Sequence, residues 1–217
     1  MGNLKYDAVI FDLDGVIVDT AKYHFLAWKR LAKELGIEFT KEDNERLKGV
    51  SRMRCMDIIL DLGNKEMSDK RKKELTDRKN NWYLEYVNQM DESEILPGSL
   101  DLIEKLVEND VKIAIGSASK NAKTILKKVN LIDKFEFISD GTVVTKAKPD
   151  PEVFTLAADK LDVEYDKCIV FEDSQAGIDA ANSVNMLSIA IGKSNNLDNY
   201  DYIFNSVDEF EFDILYK

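Results

Sequence analysis

Short apolar runs alternate along the chain with longer stretches in which apolar residues recur about every three to four positions. The runs are Ala8-Val9-Ile10-Phe11, Val111-Lys112-Ile113-Ala114-Ile115, Phe135-Glu136-Phe137-Ile138, Cys168-Ile169-Val170-Phe171 and Leu187-Ser188-Ile189-Ala190-Ile191. Each has the length of a β-strand. Several are apolar throughout, as strands are when helices cover both faces of a parallel sheet. The stretches between them read as amphipathic helices. Ser99 is placed to cap one whose inward stripe is Leu102, Ile103, Leu106 and Val107. Asp150 is placed to cap another, with Pro151 at its first position and Val153, Phe154, Ala157, Ala158 and Leu161 inward. Strand and helix in alternation predict an α/β fold with a doubly wound parallel sheet.

One stretch breaks the alternation. Residues 18–88 hold no convincing strand and read as four helices. The first covers 20–35, with Ala21, Phe25, Trp28, Ala32 and Leu35 on one stripe and Gly36 as its stop. Thr40, Ser51 and Ser68 are placed to cap the later ones. The expected organisation is therefore a core domain of residues 1–17 and 89–217, with a helical cap domain, 18–88, inserted after the first strand. An insert at the carboxyl end of a strand hangs over the edge where α/β sheets bind ligands, the position of a lid.

Charge narrows the partners. The 217 residues include 30 Lys and Arg against 41 Asp and Glu, a net charge of −11. Nucleic acid and anionic membranes both call for a basic face, so neither is expected as a partner. A small phosphate ligand remains open, because it needs only a local positive pocket. No apolar run is long enough to span a bilayer, and Met1-Gly2-Asn3-Leu4-Lys5 lacks the apolar segment of an export signal. Tyr6 stands where a myristoylation signal after Gly2 has Ser or Thr. Cys55 and Cys168 lie far apart with no Cys or His neighbour, which fits a reducing, cytoplasmic setting and no cysteine-built metal site.

Residues able to do chemistry gather at the strand ends. The first strand ends in Asp12-Leu13-Asp14-Gly15, and the second runs through Gly116 into Ser117-Ala118-Ser119-Lys120-Asn121. Lys148-Pro149-Asp150-Pro151 opens the helix before the fourth strand, which ends in Glu172-Asp173-Ser174. In a parallel sheet these loops share one edge, so the carboxylates, the serines and the lysines converge. Clustered carboxylates repel one another, and a hard divalent cation relieves them. A carboxylate beside such a cation can attack phosphorus and become an acyl phosphate. A second acid nearby can move protons on and off the leaving and attacking oxygens. Lysines, N–H groups and hydroxyls then neutralise the equatorial phosphoryl oxygens. Asp-x-Asp-Gly alone is more often a turn than a catalytic site. Its weight here comes from the buried strand before it and the loops that match it.

The phrases Phe11-Asp12-Leu13-Asp14-Gly15-Val16, Ser117-Ala118-Ser119-Lys120-Asn121, Lys148-Pro149 and Glu172-Asp173-Ser174-Gln175-Ala176-Gly177-Ile178 resemble the four motifs of the haloacid-dehalogenase-type phosphotransferases. The match runs through nearly the whole chain. It implies a Rossmann-like, haloacid-dehalogenase-like core with an inserted α-helical cap. The resemblance is nearest to the branch that interconverts β-glucose 1-phosphate and glucose 6-phosphate through a bound 1,6-bisphosphate. By that resemblance Asp12 is the nucleophile and Asp14 the general acid/base. Mg²⁺ is the implied cofactor, held by the Asp12 side chain, the Asp14 backbone carbonyl and Asp173, with Glu172 close by. Ser117, Ala118, Ser119, Lys120, Asn121 and Lys148 are placed around the transferring phosphate.

These motifs do not separate a mutase from a sugar-phosphate phosphatase of the same family, which needs only the core site. A mutase must exclude water and hold a second phosphate. The segment Lys48-Gly49-Val50-Ser51-Arg52 supplies a candidate, with Ser51 as a helix cap, free N–H groups behind it and Arg52 as a planar fork for phosphate. Taken alone it is a loop with a solvated arginine. It resembles the specificity loop of the mutase branch, which puts Gly49, Val50, Ser51 and Arg52 on the substrate. His24 is the single histidine, one turn from Thr20 and one from Trp28, and alone it reads as a surface or packing residue. The resemblance instead sets Thr20 at a hinge, His24 near Asp14 and Lys79 nearby, with Trp28 at the substrate. Trp82 and Tyr86 read as cap core rather than sugar-stacking residues. Cys55 stands where the mutases are expected to carry serine, and Gly116 where alanine is expected. Those departures bear on sugar preference, not on reaction class. The expected partner is a sugar phosphate, and a lid free to move favours a monomer. A non-catalytic acidic binding module is the third reading, disfavoured by the intact carboxylate set.

Overall fold

The structure is a computed structural model and describes residues 4–47, 50–193 and 197–216. The chain divides into two compact units, Met1–Asp19 with Asp91–Lys217, and Thr20–Met90.

The first unit is built on a six-stranded, wholly parallel sheet in the order β3-β2-β1-β4-β5-β6. The strands are β1 Ala8–Phe11, β2 Lys112–Gly116, β3 Phe137–Ser139, β4 Cys168–Glu172, β5 Leu187–Ile191 and β6 Tyr202–Phe204. Successive side chains point to opposite faces, and both faces of the central strands are buried. On one face Ala8, Ile10, Ala114, Cys168 and Val170 pack with Val153, Phe154, Ala157, Ala158 and Leu161 of helix Glu152–Leu161, and with Ala180 and Ala181 of helix Gln175–Asn182. On the other, Phe11 stacks on Phe171 at 5.1 Å and meets the edge of Phe135, while helix Ser99–Glu108 lies against β2. This double cover is why the strands are apolar without alternation.

Several boundaries differ from the sequence expectation. β3 begins later than expected, at Phe137, and reaches Ser139, which pairs with Gly116 of β2; ahead of it Glu136 N–H donates to Ile113 O. β2 begins one residue later than its apolar run, at Lys112, and runs through Gly116 as expected, while β4 continues one residue past its run to Glu172. The edge strand β6 was not anticipated. The N-cap of helix Ser99–Glu108 is Gly98, at φ +80°, and Ser99 is its first helical residue. The Ser99 hydroxyl donates to the Val16 carbonyl at 2.9 Å instead of accepting a helix N–H. Val107, expected inward, is 50% exposed, and the inward stripe is Leu102, Ile103 and Leu106. Pro151 rather than Asp150 occupies the N-cap position of the following long helix, although Asp150 Oδ1 still accepts the Glu152 N–H at 3.1 Å.

The second unit holds four helices, which we number α1 Ala21–Glu34, α2 Lys41–Glu45, α3 Arg52–Leu62 and α4 Asp69–Val87. α1 and α3 both pack on α4. Thr40 forms a capping box with Asp43, and Ser51 and Ser68 accept the N–H groups of Arg54 and Arg71. Gly36, at φ +68°, follows the end of α1. Trp28, Leu31, Met56, Ile59, Leu75, Tyr83 and Val87 fill the interior. Trp82 is buried as well, with the Arg30 guanidinium 4.0 Å above its ring. No helix among the described residues is long and apolar enough to cross a membrane.

Candidate active site

Strand register brings the chemistry to one edge of the first unit. Phe11 lies level with Ile115 of β2 and Phe171 of β4. One residue on, Asp12, Gly116 and Glu172 therefore stand side by side at the carboxyl edge of the sheet. Asp12 N–H still donates to Phe171 O at 2.9 Å, so the backbone beneath the carboxylate is held by the ladder. After Asp12 the chain closes a tight loop in which Ile17 and Val18 N–H groups donate to Leu13 O and Gly15 N–H donates to Val18 O. Gly15 has φ +85°, and a Cβ there would lie 2.3 Å from Asp173 Oδ2. Only glycine lets this loop approach Asp173.

Asp12 is buried and fully engaged. Its Oδ2 accepts the Asp14 N–H at 2.9 Å, and its Oδ1 accepts from Lys148 Nζ at 2.5 Å. Lys148 Nζ also donates to Glu172 Oε2 at 2.7 Å. The other oxygen of Glu172 accepts from Ser174 N (3.0 Å) and Ser174 Oγ (2.6 Å). Ser174 in turn caps helix Gln175–Asn182, its Oγ accepting from Gly177 N. A Cβ at Gly177 would fall 2.0 Å from Glu172 Cδ, so the carboxylate is seated against bare helix backbone.

Asp12, Glu172 and Asp173 each offer a carboxylate oxygen within 4.8 Å of the others, an arrangement that can hold a cation. Asp14 is not part of this group of side chains. Burial pushes the Asp12 carboxyl well above its usual range. Lys148 opposes that rise, and the negative charges of Glu172, Asp173 and Asp14 add to it. Burial would lower Lys148, but the facing carboxylates outweigh it and hold the ammonium above its ordinary value. One ammonium against several carboxylates leaves the cluster short of positive charge. The residues therefore fit a hard divalent cation.

The serine-rich loop stands beside this cluster in the sheet. Ser117 N–H donates to Ser139 O, Ser117 Oγ accepts from Ser119 N and Ser119 Oγ accepts from Asn121 N. Ser117 is buried, while Ala118 and Lys120 are exposed. Gly141 N–H donates to Ser119 O, and a Cβ at Gly141 would meet Ala118 O at 2.6 Å. The segment leading to Lys148 is held from Glu152, whose carboxylate accepts from Thr145 N and Lys146 N at 2.9 and 2.6 Å. These bonds hold the Glu152 carboxyl below its usual range. The Lys148–Pro149 peptide is cis.

The second unit has its own polar cluster. Lys79, only 2% exposed, donates to His24 Nδ1 at 2.9 Å and lies over the rings of Trp28 (4.5 Å) and Tyr83 (5.0 Å). The His24 ring stacks on Tyr83 at 4.1 Å. Burial, then the charges of Lys79 and Arg52, lower the His24 pKa well below its usual value. Arg52 opens α3 behind its cap Ser51, and its Nη2 donates to Asn80 Oδ1 at 2.8 Å. Thr20 is fully buried at the N-cap of α1 and makes no side-chain cap bond. Val50 is half-buried, and Gly49 lies outside the described residues. The Cys55 thiol donates to Leu47 O (3.6 Å) and Val50 O (3.8 Å), on either side of the undescribed pair. Burial pushes the thiols of Cys55 and Cys168 up to about 11 and about 12, so neither is a thiolate at neutral pH.

Thus Asp12, Lys148, Glu172 and Asp173 come together in one unit, and His24, Trp28 and Lys79 in the other. Sequence reasoning missed Tyr83 and Asn80, which hold His24 and Arg52, and the grips of Ser174 and Glu152. A serine placed to cap the helix after Glu172, and an acid early in the helix after Lys148, are the signals that could have found the last two.

Comparison with known proteins agrees with this geometry. The sequence profile of the haloacid dehalogenase-like hydrolases matches residues 6–185. The chain is 40% identical to β-phosphoglucomutase of Bacillus subtilis (strain 168), over 97% of this chain and 94% of that one. It superposes on the crystal structure of β-phosphoglucomutase from Clostridium difficile with a TM-score of 0.91 and 42% identity, covering 96% of this chain and 95% of that one. It is also 30% identical to the phosphorylated carbohydrates phosphatase of Thermotoga maritima, over 82% of this chain and 81% of that one.

Proposed function

The chain belongs to the haloacid dehalogenase-like hydrolase family, and on that premise we propose that it is a β-phosphoglucomutase, interconverting β-D-glucose 1-phosphate and D-glucose 6-phosphate through an aspartyl phosphate and β-glucose 1,6-bisphosphate. The observation that carries the chemistry is the buried Asp12 carboxylate, hydrogen-bonded by Lys148 and grouped with Glu172 and Asp173. The choice of substrate is supported by the full-length likeness to the Bacillus and Clostridium mutases.

Asp12 is the nucleophile. The Asp14 N–H orients one of its oxygens, and the bond from Lys148 spreads the charge on the other. Lys148 keeps its proton throughout and serves as a fixed positive charge toward the oxygens of the transferring group. Asp14, two residues on, gives a proton to the leaving sugar oxygen and later takes one from the attacking hydroxyl. Ser117, Ala118, Ser119, Lys120 and Asn121 line the phosphate with N–H groups, hydroxyls and one ammonium. Mg²⁺, held by Asp12, Asp173 and the Asp14 backbone carbonyl with Glu172 beside it, supplies charge neutralisation at the phosphate when bound. In the helical unit Arg52, with Gly49, Val50 and Ser51, takes the second phosphate, while His24, Lys79, Thr20 and Trp28 serve the sugar end of the same unit. The enzyme works as a cytoplasmic monomer, a setting that suits two free, buried thiols.

A phosphorus NMR time course tests this reading. With Mg²⁺ and a trace of β-glucose 1,6-bisphosphate, β-glucose 1-phosphate is converted to glucose 6-phosphate and the α-anomer is not. Release of inorganic phosphate at least as fast as isomerisation overturns the mutase. It would leave the second reading, a sugar-phosphate phosphatase, which the likeness to the Thermotoga enzyme favours.

A further inference from the structure

Ser99 is fully buried, and its hydroxyl donates to the carbonyl of Val16 at 2.9 Å, across 83 positions of the chain. A serine ahead of a helix ordinarily caps it, but here Gly98 is the cap residue and the Ser99 hydroxyl is engaged elsewhere. Its helix presents Leu102, Ile103 and Leu106 to the core, where an unbonded hydroxyl would be costly. The bond to Val16 is what makes a polar residue tolerable in this place.

Val16 belongs to the loop that carries Asp14. That loop is closed by backbone bonds from Ile17 and Val18 to Leu13 O and from Gly15 to Val18 O, and Asp14 pairs with Val18 in a single parallel bridge. On its far side the loop is tied to the segment entering the Ser99 helix by three hydrogen bonds. Leu96 N–H donates to Ile17 O at 2.9 Å and Asp19 N–H to Glu94 O at 3.1 Å, with Val18 and Ile95 paired antiparallel between them, and Ser99 Oγ–H donates to Val16 O. The first two use backbone alone, and only the third depends on a side chain. The entry to the helix is itself fixed, since Gly98 at φ +80° lies so close to Asp208 that a Cβ would sit 2.5 Å from it.

We propose that Ser99 is a positioning residue for Asp14, its hydrogen bond to Val16 setting the loop so that the Asp14 carboxyl meets the leaving oxygen. The inference rests on Asp12 being the nucleophile and Asp14 the general acid. In the step concerned an Asp12 oxygen bonds to phosphorus as the phosphorus–sugar oxygen bond breaks. The bonding pair goes to the sugar oxygen, which takes the proton of the Asp14 carboxyl, leaving a sugar hydroxyl and an Asp14 carboxylate.

Two phosphoryl donors separate this role from a structural one. β-Glucose 1,6-bisphosphate needs a proton on its departing sugar oxygen, whereas acetyl phosphate releases acetate without one. Ser99→Ala should lower kcat with the sugar donor roughly tenfold at nearly unchanged KM, and leave phosphorylation of Asp12 by acetyl phosphate intact. Asp14→Asn should show the same selectivity with a larger loss, and adding Ser99→Ala to it should cost nothing more. Ser99→Cys, which keeps the volume and a weak donor, should recover part of the rate, and it carries the comparison if the alanine variant melts too low. Equal losses with both donors, no loss with either, or full additivity in the double variant would overturn the proposal. If Asp14→Asn lost both donors equally, the assigned role of Asp14 would fall first.

Discussion

Lys148 Nζ donates to Asp12 Oδ1 at 2.5 Å across 136 positions of the chain, and the same ammonium reaches Glu172 Oε2 at 2.7 Å. One buried cation thus reconciles two buried anions from neighbouring strand tips. Replacing it by alanine removes a fixed charge from the phosphate's surroundings, and turnover should fall by roughly a hundredfold to a thousandfold. Lys148→Arg should rescue little, because a planar guanidinium cannot sit as a compact charge between two carboxylates. The alanine variant also leaves Asp12 and Glu172 opposed, so it should unfold more readily, by ~3 kcal/mol without divalent cation. Rapid-quench measurement of phosphoenzyme formation, with urea melts alongside, checks both. Turnover within tenfold of wild type would argue against the charge role.

The same shortage of positive charge predicts a metal-dependent stability. Because Asp12, Glu172 and Asp173 lie within 4.8 Å of one another, a cation binding there favours the folded chain only. At a hundred times its Kd, Mg²⁺ should add about 2.7 kcal/mol, roughly 5–10 °C in Tm for a chain of this size. Asp173→Asn should remove most of that increment while leaving the metal-free melt close to wild type. A Tm indifferent to Mg²⁺ in the unmutated chain would rule out this cluster as the metal site.

What could be read in advance depended on whether local pattern or distant packing decides an element. β1 and β5 are found where their apolar runs predicted, since burial on both faces marks every residue. β6, Tyr202–Phe204, is three residues long at the sheet edge with Tyr202 exposed, and carries no such mark. Ser99 misled as a cap because its partner, Val16, lies far away in sequence. The gathering of Asp12, Lys148 and Glu172 was legible, because strand tips in a parallel sheet must share an edge. The hydrogen bonds that aim those groups, from Ser174 to Glu172 and from the 145–146 backbone to Glu152, depend on loop paths that no periodicity records.

His24 should make the helical unit acid-sensitive. Lys79 donates to His24 Nδ1, which fixes the neutral tautomer with its proton on Nε2. Burial disfavours the charged ring, and protonation would also break that bond and set His24 against the charges of Lys79 and Arg52, so the folded pKa lies well below 6.5. The sign follows by linkage. Below about pH 6.5 the unfolded chain takes up a proton that the folded chain refuses, so stability falls as pH falls. From pH 7.5 to 5.5 this single group should cost about 1.4 kcal/mol. His24→Gln keeps an acceptor for Lys79 without the titration and should lack that part of the slope. Urea melts at the two pH values decide it, and equal slopes in both chains would refute the assignment.

Arg52 offers the sharpest separation between the two readings of the reaction. Its guanidinium is oriented by Asn80 at 2.8 Å, and Asp77 lies 4.0 Å away. A fork held in this way can receive a phosphate without first being ordered, which spares part of the entropy cost of binding. If it holds the second phosphate, Arg52→Ala should weaken binding of the bisphosphate by roughly tenfold to a hundredfold. Phosphorylation of Asp12 by acetyl phosphate, which carries one phosphate, should be unaffected. Asn80→Ala keeps the charge but frees the fork, so its effect should be several-fold smaller and confined to KM. Isomerisation that survives Arg52→Ala unchanged would move the second phosphate elsewhere. Undiminished hydrolysis of a monophosphate, with no isomerisation in either chain, would make the phosphatase the correct assignment.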